Sequence, residues 1–540
     1  MKKILCLILA IVLTLSFASC GKSESQVQQN GSYGNSGNLV IDGIASNSSN
    51  KGGLGGWLDS MFGNSNNSQS PSSPSFERPD IYIPEDNENQ NNTTNFENTF
   101  VSTKYEPVST FSADVDTASY TYFRNLVESG YNLKELQSTA GNTIRTEEMI
   151  NYFNYNYPAP NENELFSKNV QIAPTPWNSN SQLVVIGLQA KEAQIASKNN
   201  LVFLIDVSGS MNSEDKLQLL QKAFSYLVDQ LNSDDTISIV TYSGSEKVVL
   251  DGCSGAKKDK IMNAINSLVA SGSTNGESGL KKAYQLAEKH FISDGNNRII
   301  MASDGDLNVG ISSVEEIKEF IEDKRDAGVF LSVLGFGMGN YKDSTMETIA
   351  DCGNGVYYYI DNETEAEKVF GTDIFATLYT IAKDVKIQLS FNSDYISQYR
   401  LIGYENRILN NEDFENDTKD AGELGSGHSV TVCYEVVFTN EALKLNESAE
   451  FMKLSVRYKN PDGIKSNLEE KSFGINTYTN TPDENFKFIC CVIETSMLLH
   501  KSEYWKDGNL DKILETARQL KLYDEYKTQF VDLLTQLNQK

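Results

Sequence analysis

The 540-residue sequence predicts an α/β protein at its centre, built on a doubly wound, mostly parallel sheet. A β-sandwich-like region is expected beside it, with helices at the C-terminus. Three observations carry this reading. Between residues 196 and 375, short apolar runs alternate with stretches whose apolar residues recur every three or four positions, as buried strands alternate with covering helices. Between 376 and 482, apolar and polar residues alternate one by one in segments broken by Asn, Asp and Gly, the period of antiparallel strands. From 483 to 540 the spacing is helical again.

Taken from the N-terminus, residues 1–19 combine Lys2 and Lys3 with the run "ILCLILAIVLTLSFA". The run is short for a membrane span and has the flanks of a signal peptide. Phe17-Ala18-Ser19-Cys20 resembles a bacterial lipobox, with Leu commoner than Phe at its first position. The resemblance implies an acylated Cys20 as the first mature residue, and several acyl chains anchor firmly where one is marginal. Residues 20–99 are rich in Asn, Ser, Gly and Gln, too polar to offset the entropy of ordering, and read as a tether. A short apolar island, "GGLGGWLDSMFG" (52–63), interrupts it. Residues 100–195 open a folded segment: "STFSADVDTASYTYFRNLVESG" starts as a strand and continues as a helix, "RTEEMINYFNYNYP" starts a helix, and "QLVVIGLQA" (182–190) is a strand.

In the central region "LVFLID" (201–206) is a buried strand. Leu217, Leu220, Phe224, Leu227 and Leu231 form one helix face. Strands "TISIVTY" and "EKVVL", helices 257–268 and 279–290, strand "RIIMAS", helix 314–326, strand "VFLSVLGFG", a short helix 345–350 and strand "VYYYI" complete the rhythm. The strands around 170–193 and 383–480 are expected to share one sandwich. The final helices, with Ile513, Ala517 and Leu520 on one face and Phe530, Leu533 and Leu537 on another, are expected to pack on the sandwich or on the N-terminal segment.

A net charge of −27 argues against nucleic acid or anionic lipid as a bulk-charge partner. Seven cysteines include Cys6 in the leader and Cys20. Cys253, Cys352, Cys433, Cys490 and Cys491 are scattered and show neither a disulfide framework nor CxxC metal spacing. His290, His428 and His500 stand far apart in sequence, which argues against a histidine-based site.

Chemistry concentrates where apolar strands end on oxygen. Asp206-x-Ser208-x-Ser210 closes the first central strand, Thr274 lies in the glycine-framed loop "SGSTNG", and Asp304 closes "RIIMAS". Alone, the first motif also fits a Ser-Gly turn with Asp206 capping the next helix. In a doubly wound sheet, strand ends gather at one edge where ligands bind, so the three pieces can converge. Hydroxyls and carboxylates are hard ligands that suit Mg2+ or Mn2+ and are poor for Zn2+ or copper. Asp306 stands close enough in sequence to tune such an ion through its ligands, although turn formation explains it equally well.

The DxSxS motif, the distant Thr and the strand-ending Asp-Gly resemble the metal-ion-dependent adhesion site of von Willebrand factor type A domains. That resemblance implies that Ser208 and Ser210 hold the ion directly, Thr274 directly or through water, and Asp206 and Asp304 largely through water. "FSADVDTASY", "EEMINYFNYNYP", "ASDGDLNVG" and "YRLIGYENRILNNEDF" further resemble a bacterial group of von Willebrand type A lipoproteins with family-specific segments on both sides of the domain. The two resemblances together imply a membrane-anchored, extracytoplasmic envelope protein that uses Mg2+, or Mn2+, to capture an acidic side chain of a protein partner. The alternatives are an envelope assembly component whose metal only stabilises the fold, and a metal-dependent hydrolase. "FSADVDTAS" superficially resembles the aspartate-nucleophile phosphotransferases, but Thr117 is three residues after Asp114 where four are required, and a solvated or helix-capping acidic loop is the better expectation. No GxxxxGK[ST] or GxSxG motif supports hydrolysis, and the expected protein is not an enzyme.

Overall fold

The computed structural model describes residues 97–192, 198–305, 314–337, 343–442, 449–461 and 463–540, all within the unit Asp86–Lys540. The leader, Cys20, the tether as far as residue 96, and Asp306 lie outside the described residues. Strands β1 (Val101–Ser102), β2 (Val108–Ser112), β3 (Phe166–Pro174) and β4 (Gln182–Ala190) come before the central region. That region contains β5 (Asn199–Asp206), β6 (Thr236–Tyr242), β7 (Glu246–Ser254), β8 (Asn296–Ser303), β9 (Phe330–Phe336) and β10 (Tyr357–Ile360). After it come β11 (Thr380–Phe391), β12 (Ile396–Ile402), β13 (Gly422–Gly425), β14 (Ser429–Phe438), β15 (Glu450–Lys459) and β16 (Ser466–Gly474).

The central strands form one sheet in the order β10-β9-β8-β5-β6-β7. All pairs are parallel except β6 with β7. Side chains alternate across β5: Leu201, Phe203 and Ile205 enter one core with Phe224 and Phe370, while Val202 and Leu204 enter another with Tyr284 and Ile321. Helix Leu219–Gln230 covers the first face and helix Gly276–Lys289 the second. Burial on both faces is why β5 reads as an unbroken apolar run, each such side chain contributing about 1.5–3 kcal/mol.

The flanking segments meet as expected. β4 from before the central region pairs with β14 from after it, in a sheet ordered β1-β12-β14-β4-β3. In the second sheet β11 carries β13 and β2 on one side and β15, then β16, on the other. Ile186 and Val432 from the first sheet share a core with Ile387 and Leu454 from the second. On the outer face, Leu183, Val185 and Cys433 pack against Phe123, Phe153, Phe488 and Phe530. Helices Glu484–His500, Leu510–Ala517 and Glu525–Asn538 therefore pack on both the sandwich and the N-terminal segment. The five cysteines from Cys253 to Cys491 are free thiols. Among the described residues, no helix is long and apolar enough to cross a membrane.

One expectation is overturned. The Asp114–Asp116 loop is neither solvated nor capping: the two residues are 5% and 4% exposed, and helix Ala118–Glu128 has no side-chain cap. Arg407 Nε donates to Asp114 at 3.0 Å, and its Nη2 lies 3.5 Å from Asp116 and 3.3 Å from Glu347. Asp116 Oδ1 also accepts the Tyr357 N–H at 2.9 Å. The loop thus docks on the β10 edge of the central sheet, held by a guanidinium from the "YENR" segment. A comparable tie runs from buried Arg124 to Asp361 and, at 2.9 Å, to Glu365.

Candidate metal centre

β5 lies between β6, which follows it in the chain, and β8, which arrives from a later crossover. This reversal opens a crevice at the carboxyl ends of the strands. Ile205 pairs with Ala302, so Asp206 and Asp304 end neighbouring parallel strands. Asp206 is fully buried and Asp304 nearly so.

After Asp206 the chain turns back on itself. The Ser208 N–H donates to Asp206 Oδ1 at 2.8 Å, and the Ser208 and Ser210 hydroxyl oxygens are 2.9 Å apart. Ser208 is buried and Ser210 exposed, so the pair runs from the site floor to its rim. The Thr274 loop is stitched to this turn: the Gly209 N–H donates to the Gly272 carbonyl at 3.0 Å, and the Ser271 N–H to the Val207 carbonyl at 2.7 Å. Thr274 is half-buried just before helix Gly276–Lys289. The structure thus brings the Asp206, Ser208, Ser210 and Asp304 elements together and ties the Thr274 loop to them.

Three residues that the sequence did not single out also serve the site. Ser303 Oγ donates to Asp206 Oδ2 at 3.4 Å and accepts the Gly305 N–H at 3.3 Å. Tyr242, paired with Asp206 across β5 and β6, is fully buried beside it. Lys216 Nζ donates to Asp304 Oδ2 and to the Ser210 carbonyl, both at 2.9 Å. One signal for Lys216 was present: a lysine in the first turns of a helix opposes the macrodipole and needs a local anion to justify it.

The donor set fits a hard divalent ion. Every side-chain donor offered is an oxygen, and Asp304 Oδ1 is buried with no hydrogen-bond partner among the described residues. Such a bare acceptor costs about 1–3 kcal/mol. Burial pushes the Asp206 carboxyl up to about 6, with Asp304 adding to the rise and the Ser208 hydrogen bonds opposing it. Two neighbouring carboxylates with one ammonium between them, Lys216 on Asp304, leave a negative charge that favours a further cation. Asp114, Asp116 and Glu347 also lie close enough together to share an ion, but Arg407 already fills that position.

Family models match three stretches of the chain. Residues 200–372 match the von Willebrand factor type A domain, residues 86–185 match a model described as von Willebrand factor, and residues 376–539 match "Uncharacterized protein YfbK, C-terminal". The Escherichia coli (strain K12) protein named "Uncharacterized protein YfbK" is 38% identical over 453 residues, spanning 79% of this chain and 77% of that protein. Inter-alpha-trypsin inhibitor heavy chain H3 of Mesocricetus auratus is 29% identical over 175 residues, 31% of this chain and 20% of that one. A solved von Willebrand factor type A structure from Catenulispora acidiphila covers 68% of this chain and 88% of its own, at 15% identity and a TM-score of 0.40. A type A domain suggests a role in protein–protein interaction or adhesion, and such domains commonly bind a divalent metal at their adhesion site. With its sandwich and C-terminal helices in place around that domain, the chain belongs to the family of the Escherichia coli protein YfbK.

Proposed function

We propose that this protein is a lipid-anchored component of the cell envelope, on the extracytoplasmic side, that captures an acidic side chain of a protein partner through a divalent ion, by preference Mg2+. The observation that supports this most is the convergence of Asp206, Ser208, Ser210 and Asp304 at one strand edge, with the Asp304 Oδ1 acceptor bare among the described residues. Ser208, Ser210 and Thr274 hydroxyls would hold the ion, and Asp206 and Asp304 would balance its charge from behind. The ion, when bound, supplies a Lewis-acid position for an outside carboxylate. The chain's own residues keep that position rigid: Ser303 and the Ser208 N–H fix the Asp206 carboxylate, and the Gly272 carbonyl fixes the serine turn. Acylation of Cys20 and the polar stretch 20–99 would present the site away from the membrane.

The test is affinity capture from solubilised envelopes in Mg2+, in EDTA, and with Asp206→Ala in Mg2+. A partner retained only by the wild type in Mg2+ supports the reading. Capture unchanged by both EDTA and Asp206→Ala shows that the ion does not bridge the contact. In intact cells, Cys20→Ala should move the chain from the membrane to the soluble fraction.

A further inference from the structure

We infer that Lys216 is an internal cation of the metal centre, and that a divalent ion must displace its ammonium group from Asp304 in order to bind. The inference rests on the proposed metal binding and concerns a residue to which that proposal gives no role.

The geometry is direct. The Lys216 ammonium lies 2.9 Å from Asp304 Oδ2 and 2.9 Å from the Ser210 carbonyl oxygen. It therefore bridges two of the elements whose side chains face the ion. Its side chain is 13% exposed and that of Asp304 1%, so water screens the pair little. The lysine is brought there by a break in the helix that follows the serine turn: residues 214–218 form a wide turn with Lys216 at φ −123°, ψ −106°, before helix Leu219–Gln230 begins. Space for its stem comes from Gly337 (φ +74°) after β9, where a Cβ would stand 2.2 Å from Lys216 Cε. Three separate elements, the wide turn, the end of β8 and the end of β9, thus converge to seat one ammonium on one carboxylate.

Charge explains what the ammonium does. Asp206 and Asp304 together bring two negative charges into a buried site, and one fixed ammonium neutralises half of them. A divalent ion neutralises both. With the ammonium still on Asp304, the incoming ion meets a site of half the charge and a nearby like charge, and repulsion of that kind in a poorly screened site disfavours binding. Binding is therefore an exchange of one cation for another, and the lysine sets how much free ion the exchange requires. Lys216 acts here as a positioning and affinity-setting residue, not as a metal ligand.

The experiment is titration of the full chain with Mn2+, followed calorimetrically and by the electron paramagnetic resonance of the free ion, for wild type, Lys216→Met and Lys216→Gln. Thermal unfolding without metal checks that the variants fold. Both variants should bind one Mn2+ at least tenfold more tightly than wild type. Their metal-free melting temperature should drop, because Asp304 has lost its counter-ion, and saturating Mn2+ should raise it more than it raises the wild type. Equal affinity in all three proteins would overturn the exchange while leaving the metal centre intact. Weaker binding in the variants would also overturn it, because the lysine would then support the loaded site. No binding in any of the three would remove the metal centre itself and the exchange with it.

Discussion

Replacing Arg407 by Met tests whether the flanking segments are fastened to the type A domain by charge. The guanidinium touches Asp114 at 3.0 Å, Asp351 at 2.9 Å, Glu347 at 3.3 Å and Asp116 at 3.5 Å. At an effective dielectric of about 20, each contact near 3 Å represents about 5 kcal/mol of attraction. Desolvation of the five groups offsets most of that sum, so the intact cluster is worth little net. The asymmetry appears on removal: Asp114 and Asp116 stay buried while the guanidinium they share is gone, and Glu347 keeps a second partner, Arg145 at 2.7 Å. Breaking a buried pair from one side costs about 3–5 kcal/mol, roughly 3–5 °C in melting temperature for a unit that spans Asp86–Lys540. Methionine keeps much of the stem volume, so the loss reports charge and not a cavity. The readout is thermal unfolding at pH 8 and pH 5. Burial, with the neighbouring Asp114 carboxylate adding, already raises the Asp116 and Asp351 carboxyls, so acid should neutralise the cluster and shrink the deficit at pH 5. A melting temperature within about 1 °C of wild type at pH 8, or a deficit that grows in acid, would refute this reasoning; that margin is about 1 kcal/mol.

Two positions away from the ligands give further expected outcomes. In Gly279→Ala, the new Cβ would stand 2.7 Å from Tyr242 Cβ and 3.1 Å from Leu204 Cδ1; the overpacking cost of about 1–3 kcal/mol should outweigh the gain of about 1 kcal/mol in helix propensity. Because Tyr242 backs Asp206, Mn2+ affinity should fall as well, and an unchanged melting temperature and affinity would count against the contact. Glu147 is fully buried with neither carboxyl oxygen hydrogen-bonded among the described residues, and burial, with Glu405 and Asp114 adding, pushes it up to about 8 from 4.5. Between these values the folded chain keeps a proton that the unfolded chain has released, so this residue makes stability fall as pH rises through the window. Glu147→Gln should flatten the decline of melting temperature from pH 5 to pH 8, and parallel profiles would contradict the assignment.

The central sheet was legible because its strands are buried on both faces, so "LVFLID" and "RIIMAS" announce themselves without context. The candidate site residues were legible because type and order agreed across two strand ends and the loop before a helix. β16 carries a weaker signal: "SNLEEKSFG" is largely polar and exposed, with Phe473 its one side chain buried in the sandwich core, and it pairs with β15. Asp114 and Asp116 looked like surface acids because nothing local shows that Arg407, 293 residues away from Asp114, will bury them. Lys216 was hidden for a similar reason. Its partner Asp304 is 88 residues on, and only the crossover that places β8 beside β5 brings the two together.

Binding of a divalent ion through Asp206 and Asp304 is the property on which the proposed role depends most directly. Mn2+ titration of the wild type, Asp206→Ala and Asp304→Ala, with circular dichroism to confirm folding, measures it. One tight equivalent in the wild type, displaced by Mg2+ and lost in both variants, is the predicted result. No tight equivalent in the wild type, or one that survives in the folded variants, would contradict the claim.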